Sequence, residues 1–312
     1  MSVTSNLYAF ARSLFWVLSA SAIISPLAQG QYLGLNLLGD TGLKSGSQPI
    51  PGFYLMAPLY YRNDYTGLRG PQGNEVLSNL DVNINLFTVP AIAGTTKAKF
   101  LGATYGFQIV PMVMNTRLDV AALGYETSDG YGFGDMYVQP INLGWRTKRA
   151  DFLGAYGVYI PTGQGGRSLD MWAHEIVAGT TVYLDQTKKW HVATTGFYEI
   201  HQNKRGIDLR VGDILTLEGG AGRSFMKGMG NAGLAYVAQW KVTDDTGTDF
   251  PERLPKSKNR AFGLGPDISM PVFAKGTTIG IVGFRFIREF GARTNFEGSS
   301  MVLSFTLAKL NL

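Results

Sequence analysis

The chain has 312 residues, with 40 Gly, 38 aromatics, no Cys, three His and a net charge of +5 from 28 Lys and Arg against 23 Asp and Glu. Without Cys there are no disulfides, thiolate metal sites or thiol nucleophiles, and three His leave little for a histidine metal centre. Charged residues are 16% of the chain, below the ~25% of soluble domains, and the basic residues form no block that would grip nucleic acid.

Residues 1–30 hold no acid, one base at Arg12 and an apolar core from Leu14 to Leu27. This is the pattern of an export signal, and the small residues Ala28 and Gly30 predict cleavage before Gln31. Beyond it no apolar run approaches the ~18 residues of a membrane helix. Residues 31–51 are Gly-rich and do not alternate, so they predict either a periplasmic lead-in or a plug folded into the remainder of the chain.

From Gly52 onward the apolar period is two, the period of strands. Twelve segments show it: 52–63, 80–89, 100–115, 134–146, 152–160, 173–184, 190–201, 213–225, 231–243, 259–272, 277–290 and 295–307. Leu80, Val82, Ile84 and Leu86 alternate with Asp81, Asn83 and Asn85, and Leu234, Tyr236 and Trp240 alternate with Gly233, Ala235, Gln239 and Lys241. The connections alternate too. Those opening at Asp64, Thr116, Pro161, Gln202 and Asp244 are long, whereas those at Thr147, Asp185, Met226 and around Ala274 are short and carry Lys or Arg. The connection from Pro90 to Lys99 is longer than the other short ones. Trp145 and Trp190 flank short turns, where an interfacial aromatic girdle sits.

These features predict an all-β, antiparallel transmembrane barrel of about twelve strands over residues 52–312, with short periplasmic turns and longer outer loops. The partners of such a barrel are outer-membrane lipid and lipopolysaccharide, the assembly machinery and a small solute, with no nucleic acid. A soluble sandwich or lipocalin-like barrel also alternates. Its apolar face would point inward and its outside would be charged, whereas the non-apolar face here is rich in Gly, Thr, Asn and Gln.

The segment Gly42-Leu43-Lys44-Ser45-Gly46-Ser47-Gln48-Pro49-Ile50-Pro51-Gly52-Phe53-Tyr54-Leu55 resembles the entrance of a family of bacterial outer-membrane barrels named for the meta-pathway of phenol degradation. Gly134-Asp135-Met136-Tyr137-Val138-Gln139-Pro140, then Leu143-Gly144-Trp145 and Tyr159-Ile160-Pro161-Thr162-Gly163, resemble that family's central hairpin. The resemblance implies an outer-membrane channel for aromatic or other hydrophobic compounds. One departure is the C-terminus, which ends Leu307-Ala308-Lys309-Leu310-Asn311-Leu312 with no terminal aromatic residue for the assembly machinery to read.

With the apolar faces toward lipid, the expected lumen set is Asp81, Asn83, Asn85, Gln108, Glu175, Glu199, Glu218, Gln239, Lys241, Asp267 and Arg285. Both charge signs occur, which predicts a narrow pore without strong ion selectivity, or a closed barrel stiffened by internal pairing. No cofactor, metal site or catalytic centre is expected. His174-Glu175 lacks the second His of a zinc helix, and there is no Gly-x-Ser-x-Gly elbow. Two weaker possibilities are an acid–base site of Glu199, His201 and Asp208, and a calcium- or lipopolysaccharide-binding loop around Asp244, Asp245, Asp249 and Glu252. A barrel hydrolase and a closed structural or adhesive barrel are the alternatives to a channel.

Overall fold

The structure, a computed structural model, describes residues 34–88, 91–120, 125–128, 130–250 and 258–307. The predicted signal and its cleavage point lie outside the described residues, as do the C-terminal five residues and Glu252 of the charged loop.

The described residues form sixteen strands: β1 (Gly52–Arg69), β2 (Glu75–Thr88), β3 (Ala91–Phe100), β4 (Ala103–Val110), β5 (Met112–Val120), β6 (Tyr125–Ser128), β7 (Gly132–Phe133), β8 (Met136–Arg146), β9 (Ala150–Ile160), β10 (Ala173–Tyr183), β11 (Trp190–His201), β12 (Ile214–Phe225), β13 (Gly230–Lys241), β14 (Arg260–Ala274), β15 (Thr277–Arg293) and β16 (Asn295–Leu307). Every pairing is antiparallel, as the alternation predicts. The order runs from β16 down to β8, then β4, β3, β1, β2, β5 and β6. The last strand also pairs with the first, from Met56 opposite Thr306 to Arg69 opposite Asn295.

Sixteen strands replace the predicted twelve because the chain is interrupted within long extended runs. β3 pairs with β1 over Gly52–Met56, and β2 pairs with it over Tyr60–Arg69, so the two lie end to end along one neighbour. β4 and β5 flank Pro111, which has no N–H to give a ladder. The predicted connection Pro90–Lys99 is strand from Ala91 onward, and the turn falls at Leu101-Gly102. Its small residues, Ala91, Ala93, Gly94 and Thr95, carry no alternation to read, yet they pair with β1 and β4.

From β8 onward connection lengths alternate, with long loops at 161–172, 202–213 and 242–259 and short ones at 147–149, 184–189, 226–229 and 275–276, whereas the long connections expected to open at Asp64 and Thr116 are partly strand, because β1 runs on to Arg69 and β5 to Val120. Large apolar side chains stand on the outer face: Ile176 is 52% exposed, Trp190 52%, Leu234 55% and Phe290 52%. Toward the long loops, Trp240, Phe262 and Phe290 form a ring contact series with centroids 5.5 and 6.2 Å apart, and Tyr60, Phe87 and Tyr131 form another at 4.9 and 5.7 Å. Toward the short turns, Trp190 lies under Arg223 on the outer face, and Trp145 donates its indole N–H to the Leu101 carbonyl at 3.1 Å. A belt of aromatic and basic residues therefore stands at each end of the apolar face.

Candidate functional site

Residues 34–51 lie against the inner face of the sheet and are held mainly by carboxylates. Glu199 accepts from the Leu35 N–H at 2.6 Å and the Asn36 N–H at 3.3 Å. Glu218 accepts from the Gly39 N–H at 2.7 Å and from the N–H and hydroxyl of Thr41 at 3.0 and 2.8 Å. Asp267 accepts from the Leu43 N–H at 3.3 Å and Asp151 from the Ser47 hydroxyl at 2.9 Å. Arg285 donates to the Gly39 carbonyl at 2.6 Å while paired with Asp267 at 2.9 Å. A segment without secondary structure of its own must find partners for its peptide groups, and charged acceptors make such bonds strong.

The approach is close enough to exclude side chains at two of its glycines. A Cβ at Gly46 would fall 2.2 Å from the Thr180 backbone, and one at Gly42 would meet the Arg285 guanidinium at the same distance. Leucines of the segment fill the spaces between. Leu38 packs with Ala235, Val237, Ala261 and Ile287; Leu37 lies on Tyr61, Leu86, Met112 and Val302; and Leu35 lies on Tyr137, Tyr159 and Ala173.

Seven of the predicted lumen residues share this interior: Glu175, Glu199, Glu218, Gln239, Lys241, Asp267 and Arg285. Glu175 and Glu199 are cross-strand neighbours. Glu175 receives the hydroxyl of Tyr137 at 2.6 Å and that of Tyr159 at 3.5 Å. Gln239 donates to Thr216 at 3.0 Å, and Lys241 pairs with Asp245 at 2.8 Å, both deeply buried. The eighth, Gln108, lines a cavity beside Leu35 and Leu37.

Asp81, Asn83 and Asn85 are on the opposite face. Directly paired residues share a face, and Tyr61, Asn63 and Tyr65 stand opposite Leu86, Ile84 and Val82. Tyr61 donates to the Leu38 carbonyl at 3.3 Å and Asn63 to Glu289 at 3.1 Å, so this set points inward. Asn83 instead receives the Arg62 guanidinium at 3.0 Å, and Asn85 receives the Tyr60 hydroxyl at 2.8 Å. Alternation says which residues share a face and not which way that face points. Here the apolar set turns inward because Leu35 and Leu37 provide an apolar surface to meet it. Because the chain has no Cys, single cysteines report this directly. In intact cells a membrane-impermeant maleimide is expected to label D81C, which is exposed, and to leave I84C and L86C unlabelled; the reverse pattern would restore the opposite orientation.

Three cavities follow one side of residues 34–51. The first, about 150 Å³, lies between Leu35, Leu37, Leu86, Met112 and Met114 and the loop residues Asp135, Arg167 and Lys204. The second, about 130 Å³, shares Leu35, Leu37 and Met112 with it and continues past Val110, Tyr137 and Tyr159 to Ser304 and Phe305. The third, about 340 Å³, shares Ser304 and is polar, bounded by Lys44, Ser45, Asn231, Asp267 and Arg285. At the loop end, Asp135 accepts the N–H groups of Gly163 and Leu169, and burial raises its carboxyl above the ordinary range. Burial likewise lowers the Lys204 ammonium. The sequence reading missed Leu35, Leu37 and Asp40. The available signal was the presence of Leu35, Leu37, Leu38 and Leu43 in a stretch whose other residues are mostly small or polar.

The other expected constellations do not assemble. His201 lies 3.5 Å from Glu199 and turns Nδ1 to the Gly212 carbonyl, whereas Asp208 is occupied by the N–H and hydroxyl of Thr248. In the charged loop Asp245 faces Lys241, and Asp249 accepts the Asp208 N–H at 2.7 Å. Among the described residues no group of three His, Asp or Glu is placed to hold a metal ion.

A family model described as "Putative MetA-pathway of phenol degradation" matches residues 68–305. The chain belongs to this family. The phenol-degradation family match begins near the end of β1 and runs through β16, so it covers most of the sheet. An outer-membrane channel from Pseudomonas putida F1, solved by crystallography, is similar to this chain with a TM-score of 0.68 and 12% identity, covering 88% of this chain and 99% of that one. The β domain of the Bordetella autotransporter BrkA is similar with a TM-score of 0.42 and 10% identity, covering 82% of this chain and 99% of that one. Among curated proteins, none matches this chain. The family member described here thus shares its fold with an outer-membrane channel at a sequence identity that speaks to fold alone.

Proposed function

We propose that the protein is a closed barrel of twelve staves in the bacterial outer membrane, that residues 34–51 are its plug, and that it passes small hydrophobic or aromatic solutes along one side of that plug. The observation that carries this reading is the succession of three cavities joined through shared residues, apolar toward the long loops and polar toward the short turns. The β1–β16 pairing supports closure, because lipid leaves no room for an unpaired edge. Counting β2 with β3, β4 with β5 and β6 with β7 and β8 gives twelve staves, an even number that leaves both ends of the chain on one side. Two aromatic belts flanking an apolar outer face support residence in a bilayer, with lipid and lipopolysaccharide as its surroundings. The family's association with phenol degradation agrees with an aromatic cargo. A twelve-stave interior is too wide for barrel side chains alone, which gives the plug its place.

The test is planar-bilayer conductance of the refolded protein with and without neutral aromatic solutes. Discrete steps that such a solute interrupts would establish the path. A folded, heat-modifiable barrel that never conducts, with or without solute, would instead establish a closed structural role.

A further inference from the structure

We propose that the polar cavity toward the short turns is an oxyanion site, in which Lys44 and the hydroxyls of Ser269 and Ser304 hold a carboxylate or sulfate group. This rests on the solute path described above, of which the cavity is the last part, and adds a ligand class to it. The cavity measures about 340 Å³ and lies between residues 42–47 and the inner faces of β13 to β16. One row of directly paired residues crosses those strands: Asn231 stands opposite Ser269, Ser269 opposite Gly283, and Gly283 opposite Ser304. Directly paired residues share a face. A Cβ at Gly283 would meet the Ser304 hydroxyl at 2.7 Å, so the glycine is what leaves that hydroxyl open to the cavity.

The row is polarised toward donation. The Ser224 hydroxyl donates to the Asn231 side-chain oxygen at 2.9 Å, and the Asn231 amide donates to Ser269 Oγ at 3.3 Å. Ser269 therefore accepts, and its own proton, like that of Ser304, has no partner among the described residues. A hydroxyl that already accepts a hydrogen bond donates a stronger one. Lys44 faces the same space from the opposite side. Its ammonium makes no hydrogen bond or ion pair with the described residues, and burial pulls it below the ordinary lysine range. The carboxylate that acts on it, Asp151, is shared: one oxygen accepts from Ser47 and Tyr183, and the other faces Lys188 at 4.0 Å. Asp267, also in the lining, is taken by Arg285 at 2.9 Å and by the Leu43 N–H. Lys44, Lys188 and Arg285 thus outnumber Asp151 and Asp267 by one charge. A partly desolvated cation without a close partner gains most from an anion that comes to it. Such a group has two sources, the acidic end of a solute on its way out or a free anion of the periplasm.

The test is equilibrium binding to the refolded full barrel, followed by ligand-observed NMR, with butyrate, its uncharged isostere butyramide, and sulfate as competitor. The wild-type protein is expected to bind butyrate about tenfold more tightly than butyramide. Displacement of butyrate by an equal or lower concentration of sulfate would assign the site to free anions. Displacement only by a large excess would assign it to a solute's acidic end, which Leu43 and Val302 in the lining favour. Lys44→Gln is expected to abolish the preference for butyrate, and Lys44→Arg to retain most of it. Ser269→Ala combined with Ser304→Ala should weaken butyrate several-fold and butyramide less. Lys227→Gln, on a turn outside the cavity, is expected to change neither. Heat-modifiable mobility confirms that each variant is folded. Equal binding of butyrate and butyramide by the wild type, no binding of either, or a preference that survives Lys44→Gln would overturn the assignment. Butyrate preference in a barrel that conducts nothing would leave this site standing and remove the transport reading. Conduction without that preference would do the opposite.

Discussion

Deleting residues 34–51 is expected to turn small or intermittent currents into steady ones with a conductance several-fold larger, while the barrel still shifts mobility on heating. The barrel wall consists of strands that pair with one another without help from this segment, so it should survive the loss. Within the lumen the segment carries Leu35, Leu37, Leu38 and Leu43, and its removal leaves water and the ring of Glu175, Glu199, Glu218 and Asp267. The expected pore is also more cation-selective than the parent, because Glu199, Glu218 and Asp267 lose the N–H groups that had neutralised them. An unchanged conductance would show that residues 34–51 do not obstruct the path.

The second large effect is expected at Glu218. It is fully buried and takes three hydrogen bonds from Gly39 and Thr41, more than any other wall residue gives to this segment. Each bond to a charged group is worth roughly 1.5–3 kcal/mol. Water entering the space left by Glu218→Ala would replace part of this, so a net weakening of about 3 kcal/mol is a fair expectation. That corresponds to a ~100-fold rise in the released population. The measurements are frequent transitions to the large conductance and protease cleavage near Gly42 in a barrel that remains folded. Glu218→Gln, which keeps one acceptor oxygen, should fall between the two. If Glu218→Ala gates like the parent, the segment is held by something other than its carboxylate bonds.

Much of the wall was legible from the alternation, because a strand with one apolar face repeats every second residue. In the structure Leu234 is exposed while Gln239 and Lys241, on the alternate positions, are buried. Glu175, Glu199 and Glu218 could be placed because each stands alone as a charge among small or apolar neighbours. The error at Asp81, Asn83 and Asn85 has the same source as the success. A period of two has no sign, and the sign comes from what fills the lumen, which here is a distant leucine-bearing segment. That segment was the least readable part of the chain, since residues held by long-range carboxylate bonds need no local periodicity. Gly42 and Gly46 stood out only as a motif; their reason is the nearness of Arg285 and of the Thr180 backbone. β3 was hidden for a simpler cause, in that Ala, Gly and Thr pair well without advertising a face.

The outward polarity of β2 and β5 changes where a solute leaves water. Tyr60, Phe87 and Tyr131 mark the aromatic belt on the outer surface, and the next positions toward the loops, Arg62, Asp64, Asn83 and Arg117, are charged or polar outside. At those same levels the inside is Ile84, Leu86 and Met114. On the proposed path the greasy lining thus begins above the hydrocarbon, and a solute would be dehydrated by the rim of the protein before it drew level with the lipid tails. Entry is then governed by that rim, and its rate should not track the fluidity of the surrounding leaflet.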